Sequence, residues 1–278
     1  ERVLRQRVDP HVDRIVERCC VAGAEYAGEP VDSRIMMERI RAGCVEFVDC
    51  AAPFRWGRVW GTTWFRLTGR IPEVLRTGDA GSIRGPLELQ IDLGWLPERG
   101  PGFQAEGMVY REDGTAVKSV NPRNHWVPLM SADGVPNVPL GPDGTFTVYV
   151  EAAANPFVEG ATPFSATELG ERPEIVVRLQ RESSSPKDPV RSMATRVPDG
   201  DLYTFKRADV CVHDVELAAY RQELGMVVQV IRELRSEQPR YWQLLKALQR
   251  SLNAYDERDA TTIPDARAEL AAVLAEPA

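Results

Sequence analysis

Histidine is scarce in this sequence, with His11, His125 and His213 the only three in 278 residues. Their wide separation excludes the closely spaced pairs by which a short motif anchors a metal. Cysteine is no better patterned. The five residues, at 19, 20, 44, 50 and 211, are an odd number and include no C-x-x-C pair. Neither a complete disulfide framework nor a cysteine zinc site is indicated, and buried free thiols in a reducing compartment are the expectation. No run reaches the ~18 apolar residues of a membrane span, and the stretch "ERVLRQRVDPHVDRIVERCC" is charged throughout. No span or secretory leader is read here, so the expected location is the cytoplasm. Basic charge is also short, 34 Lys+Arg against 41 Asp+Glu for a net charge of −7, which disfavours nucleic acid and anionic membranes as partners. There is no G-x-S-x-G elbow, P-loop or dinucleotide fingerprint, and "GPGFQAEG" lacks the strand-to-helix context such a motif needs. No internal repeat appears.

What is present is a change of period along the chain. Leu4, Val8, Val12, Ile15 and Cys19 recur at helical spacing around Pro10, so residues 1–55 are read as an N-terminal helical arm. Within it "SRIMMERIRAG" is a second amphipathic stretch, with Ser33 as N-cap and Gly43 as stop. From 56 to 212 the period is two. "LELQIDL" sets Leu87, Leu89, Ile91 and Leu93 against Glu88, Gln90 and Asp92, and "TFTVYVE" alternates likewise. "GMVYREDGTAVKSV" reads as a hairpin around Asp113-Gly114, and "EIVVRL" and "DLYTFKRADVCV" supply later strands. Short strands without crossover helices define a mainly β chain with helical additions, an antiparallel β-sandwich of jelly-roll or galactose-binding-like type. "RESSSPKDP" at 181–189 is read as a mobile surface loop. Residues 213–278 turn helical again. One stripe runs through Leu217, Tyr220, Leu224, Val227 and Ile231, and a second, beyond Pro239, through Leu244, Leu248 and Leu252. A third opens at Pro264 and carries Leu270, Val273 and Leu274.

Tryptophans 56, 60 and 64 fall four apart in "FRWGRVWGTTWFRLTGRIP", where glycines and threonines disfavour a helix. Phe65, Leu67 and Ile71 share one strand face, which leaves Trp64 on the other beside Arg66 and Thr68. Two readings stand: Trp60 and Trp64 are covered by helices or a neighbouring domain, or one of them stacks on a sugar ring. In the second, Tyr110 and the polar cluster Arg123, Asn124 and His125 of "SVNPRNHW" are further carbohydrate or domain contacts. A polar turn at Asn121-Pro122 explains the same cluster without a ligand. No catalytic or metal-binding residue is assigned.

"WGRVWGTTWFRLTGRIP", "LELQIDLGW", "GFQAEGMVYREDGTAVKSVNPRNHW", "YVEAAANP" and "RADVCVHDVELAAYRQELGMV", in this order, resemble the amino-terminal region of class II α-mannosidases, glycoside hydrolase family 38, of the cytosolic bacterial kind. The most specific blocks are E-G-x-V-Y-x-x-D-G and N-P-R-N. The resemblance implies a β-sandwich and helical connector ahead of a catalytic domain that would begin just after Ala278. There a G-H-x-H-x-D-x-x-W signature binds zinc and an aspartate is the nucleophile of a retaining mechanism. That signature is not in this sequence, so no cofactor is expected here and zinc is expected in the catalytic domain. The implied partners are that domain, or a second copy of the chain, with α-mannoside reached through the whole enzyme. A stand-alone carbohydrate-binding module and an oligomerisation domain are the alternatives.

Overall fold

The alternation of Leu87, Leu89 and Ile91 with Glu88, Gln90 and Asp92 becomes a strand whose apolar residues fill the core and whose opposite face keeps Glu88 and Gln90 buried as well, with Asp92 half-buried. The computed structural model describes residues 2–26, 31–58, 61–76, 85–95, 104–155, 157–159, 176–178 and 201–275. Trp60 and the expected loop at 181–189 lie outside them.

A π-helical turn, Leu4–Val8, runs into α1 (Asp9–Val12), and the chain then extends into β1 (Asp13–Arg18) and β2 (Cys20–Tyr26). After α2 (Ser33–Arg41) come β3 (Val48–Cys50), β4 (Phe54–Trp56), β5 (Thr62–Arg70), α3 (Glu73–Arg76), β6 (Leu87–Asp92) and β7 (Glu106–Arg111). They are followed by β8 (Ala116–Val120), β9 (Trp126–Met130), β10 (Thr145–Ala153), β11 (Phe157–Glu159), β12 (Val176–Arg178), β13 (Tyr203–Phe205) and β14 (Arg207–His213). The chain closes with α4 (Val215–Glu233), α5 (Pro239–Ala254) and α6 (Ile263–Ala275).

A four-stranded sheet, β1-β14-β6-β9, faces a six-stranded one, β3-β2-β5-β10-β7-β8. All pairings in both are antiparallel. The core between them holds Leu87, Leu89, Ile91 and Val210 from one sheet and Phe65, Leu67, Val148 and Val150 from the other. This is a jelly-roll sandwich. The "EIVVRL" strand departs from the pattern, since β12 pairs β11 in parallel outside both sheets. The β7–β8 turn forms as expected: Gly114, at φ +87°, donates its N–H to the Arg111 carbonyl at 3.0 Å.

Three readings need correction. The span 1–55 is not a helical arm, because β1 and β2 join the two sheets and only residues 2–12 and 33–41 are helical before β3. Ile15 and Cys19 continue the helical spacing of Leu4, Val8 and Val12 by coincidence. Beyond Val12 the backbone pairs with β14, and Asp13 is already extended. Ser33 is not the N-cap of α2. Asp32 takes that role, accepting the Arg34 N–H at 2.9 Å. The free cysteines are also not uniformly buried, since Cys20 and Cys44 are exposed.

The helices behave as their stripes predict. Leu217, Tyr220 and Leu224 of α4, Leu244 and Ala247 of α5, and Ala266, Leu270 and Val273 of α6 make a second core, which Val8 and Val12 of the N-terminal segment complete. The Asp214 side chain caps α4 by accepting the Leu217 N–H at 2.9 Å, while its own N–H donates to the Val12 carbonyl at 2.8 Å. The first helical segment and the last three helices therefore share one core, joined to the sandwich where Asp214 meets Val12 between β14 and α4.

Candidate functional site

The tryptophan ladder splits between two environments because Trp56 stands on β4, which pairs with β13, whereas Trp64 stands on β5 of the six-stranded sheet. Trp56 enters the sandwich core, where its indole N–H donates to the Leu93 carbonyl at 2.9 Å and its ring stacks on Tyr203. Trp64 points the other way, from the outer face of the six-stranded sheet, and is only 2% exposed. Met36, Met37 and Ile40 of α2 cover it, and its ring stacks on Tyr110 with centroids 5.6 Å apart. Glu151 locks this lid by accepting from the Ser33 hydroxyl at 2.7 Å and from the Tyr110 hydroxyl at 3.0 Å. Burial pushes the Tyr110 phenol above its ordinary pKa, so it remains a donor at neutral pH. Beside the stack lies a cavity of about 230 Å³ lined by Ala24, Met36, Arg39, Val45, Glu46 and Trp64.

Of the residues singled out from sequence, the structure brings Trp64 and Tyr110 together beneath α2. Arg123, Asn124 and His125 form a different group, on the turn between β8 and β9. Asn121 and Asn124 exchange backbone hydrogen bonds at 3.0 and 3.1 Å, and the Asn121 side chain accepts the Arg123 N–H at 3.0 Å. The Arg123 side chain is exposed, and the His125 carbonyl accepts from the Ile91 N–H at 2.8 Å.

A cluster that sequence spacing does not reveal sits on the outer face of the four-stranded sheet. His213, at the end of β14, has its ring Nδ1 2.7 Å from Asp13 Oδ1 of β1 and 4.0 Å from Glu88 Oε2 of β6. The Glu88 carboxylate also accepts from the Gln90 amide at 3.0 Å. Next to it, Lys118 Nζ lies 2.7 Å from the centroid of the Trp126 ring. The hydrogen bond that the His213 ring donates to the Asp13 carboxylate raises the His213 pKa against the effect of burial. Burial raises that of Glu88, with the His213 charge opposing it. Lys118 is pushed down to about 8 by burial, partly countered by Glu88. Among the described residues, Asp13, Glu88 and His213 are the set whose donor atoms gather closely enough, all within 4.8 Å, to hold a metal ion.

Two antiparallel sheets packed face to face, with α2 laid over the outer face of one of them, define a jelly-roll domain. The chain belongs to the α-mannosidase jelly-roll family: the family model described as "Alpha-mannosidase, jelly roll domain" matches residues 23–211. Comparison with curated proteins gives no matching relative. Among solved structures it is similar to the β-glucuronidase of Ruminococcus gnavus, at 15% identity and TM-score 0.31 over 55% of this chain and 23% of that one. A second structure of that enzyme matches at 14% identity and TM-score 0.32, over 56% of this chain and 24% of that one. The chain thus spans about a quarter of those enzymes' length.

Proposed function

We propose that this chain is the non-catalytic jelly-roll part of a cytoplasmic, zinc-dependent retaining α-mannosidase, and that its helical segment docks the catalytic part of the same polypeptide. The observation that carries the reading is the family match over residues 23–211. The packing supports it. Val215, Met226 and Val230 lie on the face of α4 opposite its buried stripe and are 51%, 48% and 46% exposed, and Leu274 of α6 is 50% exposed. Apolar side chains left in water on a helix that already has a filled core favour a further partner. Zinc in the catalytic part would polarise sugar hydroxyls and favour the oxocarbenium-like transition state. A sugar platform on Trp64 is disfavoured, because α2 would have to lift off first.

The test is an aryl α-mannoside assay, with zinc added, on the 278-residue chain and on the whole gene product. The whole product should turn over and the chain should not. Turnover by the chain alone, or an inactive whole product, would overturn the proposal. Val230→Glu in the whole enzyme should lower its thermal inactivation midpoint, whereas Arg123→Ala should not.

A further inference from the structure

Asp13, Glu88 and His213 stand on three adjacent strands, β1, β6 and β14, and Asp13 and His213 are 200 residues apart in sequence. We infer that the outer face of the four-stranded sheet carries a divalent-cation site, with these three side chains as ligands and the Gln90 amide oxygen as a fourth. Donor atoms bound to one metal at ~2.0–2.2 Å lie roughly 3–3.5 Å apart in a tetrahedral shell. The spacings here, 2.7 Å for His213 Nδ1 to Asp13 Oδ1 and 4.0 Å for His213 Nδ1 to Glu88 Oε2, straddle that range, so small side-chain rotations close the shell. In its Nε2–H tautomer His213 offers the Nδ1 lone pair, and the two carboxylates supply the negative charge a dication needs. One imidazole with oxygen donors suits a first-row transition ion such as Zn²⁺ or Mn²⁺.

Gln90 is the independent indication. It is 2% exposed, its Oε1 has no hydrogen-bond partner, and its amide nitrogen contacts the same Glu88 Oε2 that faces His213. A buried acceptor left without a donor is costly. Turned about its last bond, the amide brings that oxygen to Glu88, an oxygen–oxygen approach that a cation between them makes favourable. Other charged groups near the cluster include Asp214, Lys118, whose Nζ is buried without a hydrogen-bond partner, and the Arg207–Asp209 pair opposite Gln90. Lys118 therefore competes with the metal for Glu88 rather than completing its shell. A cation here would pin β1 to β14 and β6 beside the start of α4.

The test is to strip the chain with chelator, titrate with Zn²⁺ or Mn²⁺ by calorimetry, and substitute Co²⁺ for its visible ligand-field absorption. One equivalent should bind and raise the unfolding midpoint. Glu88→Gln and His213→Gln should each weaken binding about 10–100-fold or more, while His11→Gln and His125→Gln leave it unchanged. Should His213→Gln fail to give a native circular-dichroism spectrum, Gln90→Ala serves instead, with about a tenfold loss expected. No stoichiometric binding at about 100 μM metal, or binding undisturbed by Glu88→Gln and Gln90→Ala, would overturn the inference. Neither result bears on whether the whole enzyme cleaves mannosides.

Discussion

Trp64 shows how one residue's role depends on what covers it. Its neighbours Phe65 and Leu67 face the sandwich core, so the strand's alternation alone leaves the indole on the outer sheet face. Met36, Met37 and Ile40 then make that face a small second interior, and the Ser33–Glu151–Tyr110 hydrogen bonds hold its lid. Trp64→Ala should destabilise the chain by about 3–5 kcal/mol, the usual cost of truncating a buried aromatic. Arg123→Ala, on an exposed turn, should stay within roughly ±0.5 kcal/mol. Urea unfolding of both variants checks this, and a Trp64→Ala cost below about 1 kcal/mol would mean that α2 does not hold the indole in solution. Surface aromatics on a polar strand face are readily read as sugar platforms from sequence, because the covering side chains Met36, Met37 and Ile40 lie 24 to 28 residues before Trp64 in the chain and leave no local signal.

At the scale of elements, the three C-terminal helices are joined by polar as well as apolar contacts. Ser251 of α5 is fully buried, donates to the Ala266 carbonyl of α6 at 2.7 Å, and lies 2.9 Å from the Tyr220 hydroxyl of α4. With the serine proton committed to Ala266, the tyrosine must be the donor to Ser251. Ser251→Ala would leave the Tyr220 hydroxyl buried without its partner, while the Ala266 carbonyl keeps its helical bond, at a cost of roughly 1–3 kcal/mol. Adding Tyr220→Phe should recover part of that loss by removing the stranded hydroxyl. A double-mutant cycle on thermal unfolding measures the coupling, and strictly additive losses would refute this account of the junction.

For the whole molecule, the first 26 residues are the binding thread. They put Val8 and Val12 into the helical core, β1 on one sheet and β2 between β3 and β5 of the other. Deleting residues 2–26 would remove a strand from each sheet and uncover α4, so the remaining chain should lose cooperative unfolding and expose apolar surface. Circular dichroism with a hydrophobic dye tests this, and a truncated chain that stays monomeric and melts in one sharp transition would contradict it. Removing only residues 2–3, which precede the named elements, should leave the melt unchanged.

The sequence by itself determined the period-two strands from Thr62 onward, the β7–β8 turn at Gly114 and the three terminal helices. Each of these is written in side-chain spacing or backbone preference within a dozen or so residues. Only the tertiary structure decided that "DRIVER" is a strand, that Asp32 rather than Ser33 caps α2, and that Asp13, Glu88 and His213 meet. A strand's identity and a side-chain cluster depend on which distant segment pairs alongside. Here β14 is that segment for both, joining residues 13 and 213 through a hydrogen-bond ladder to which no local pattern points.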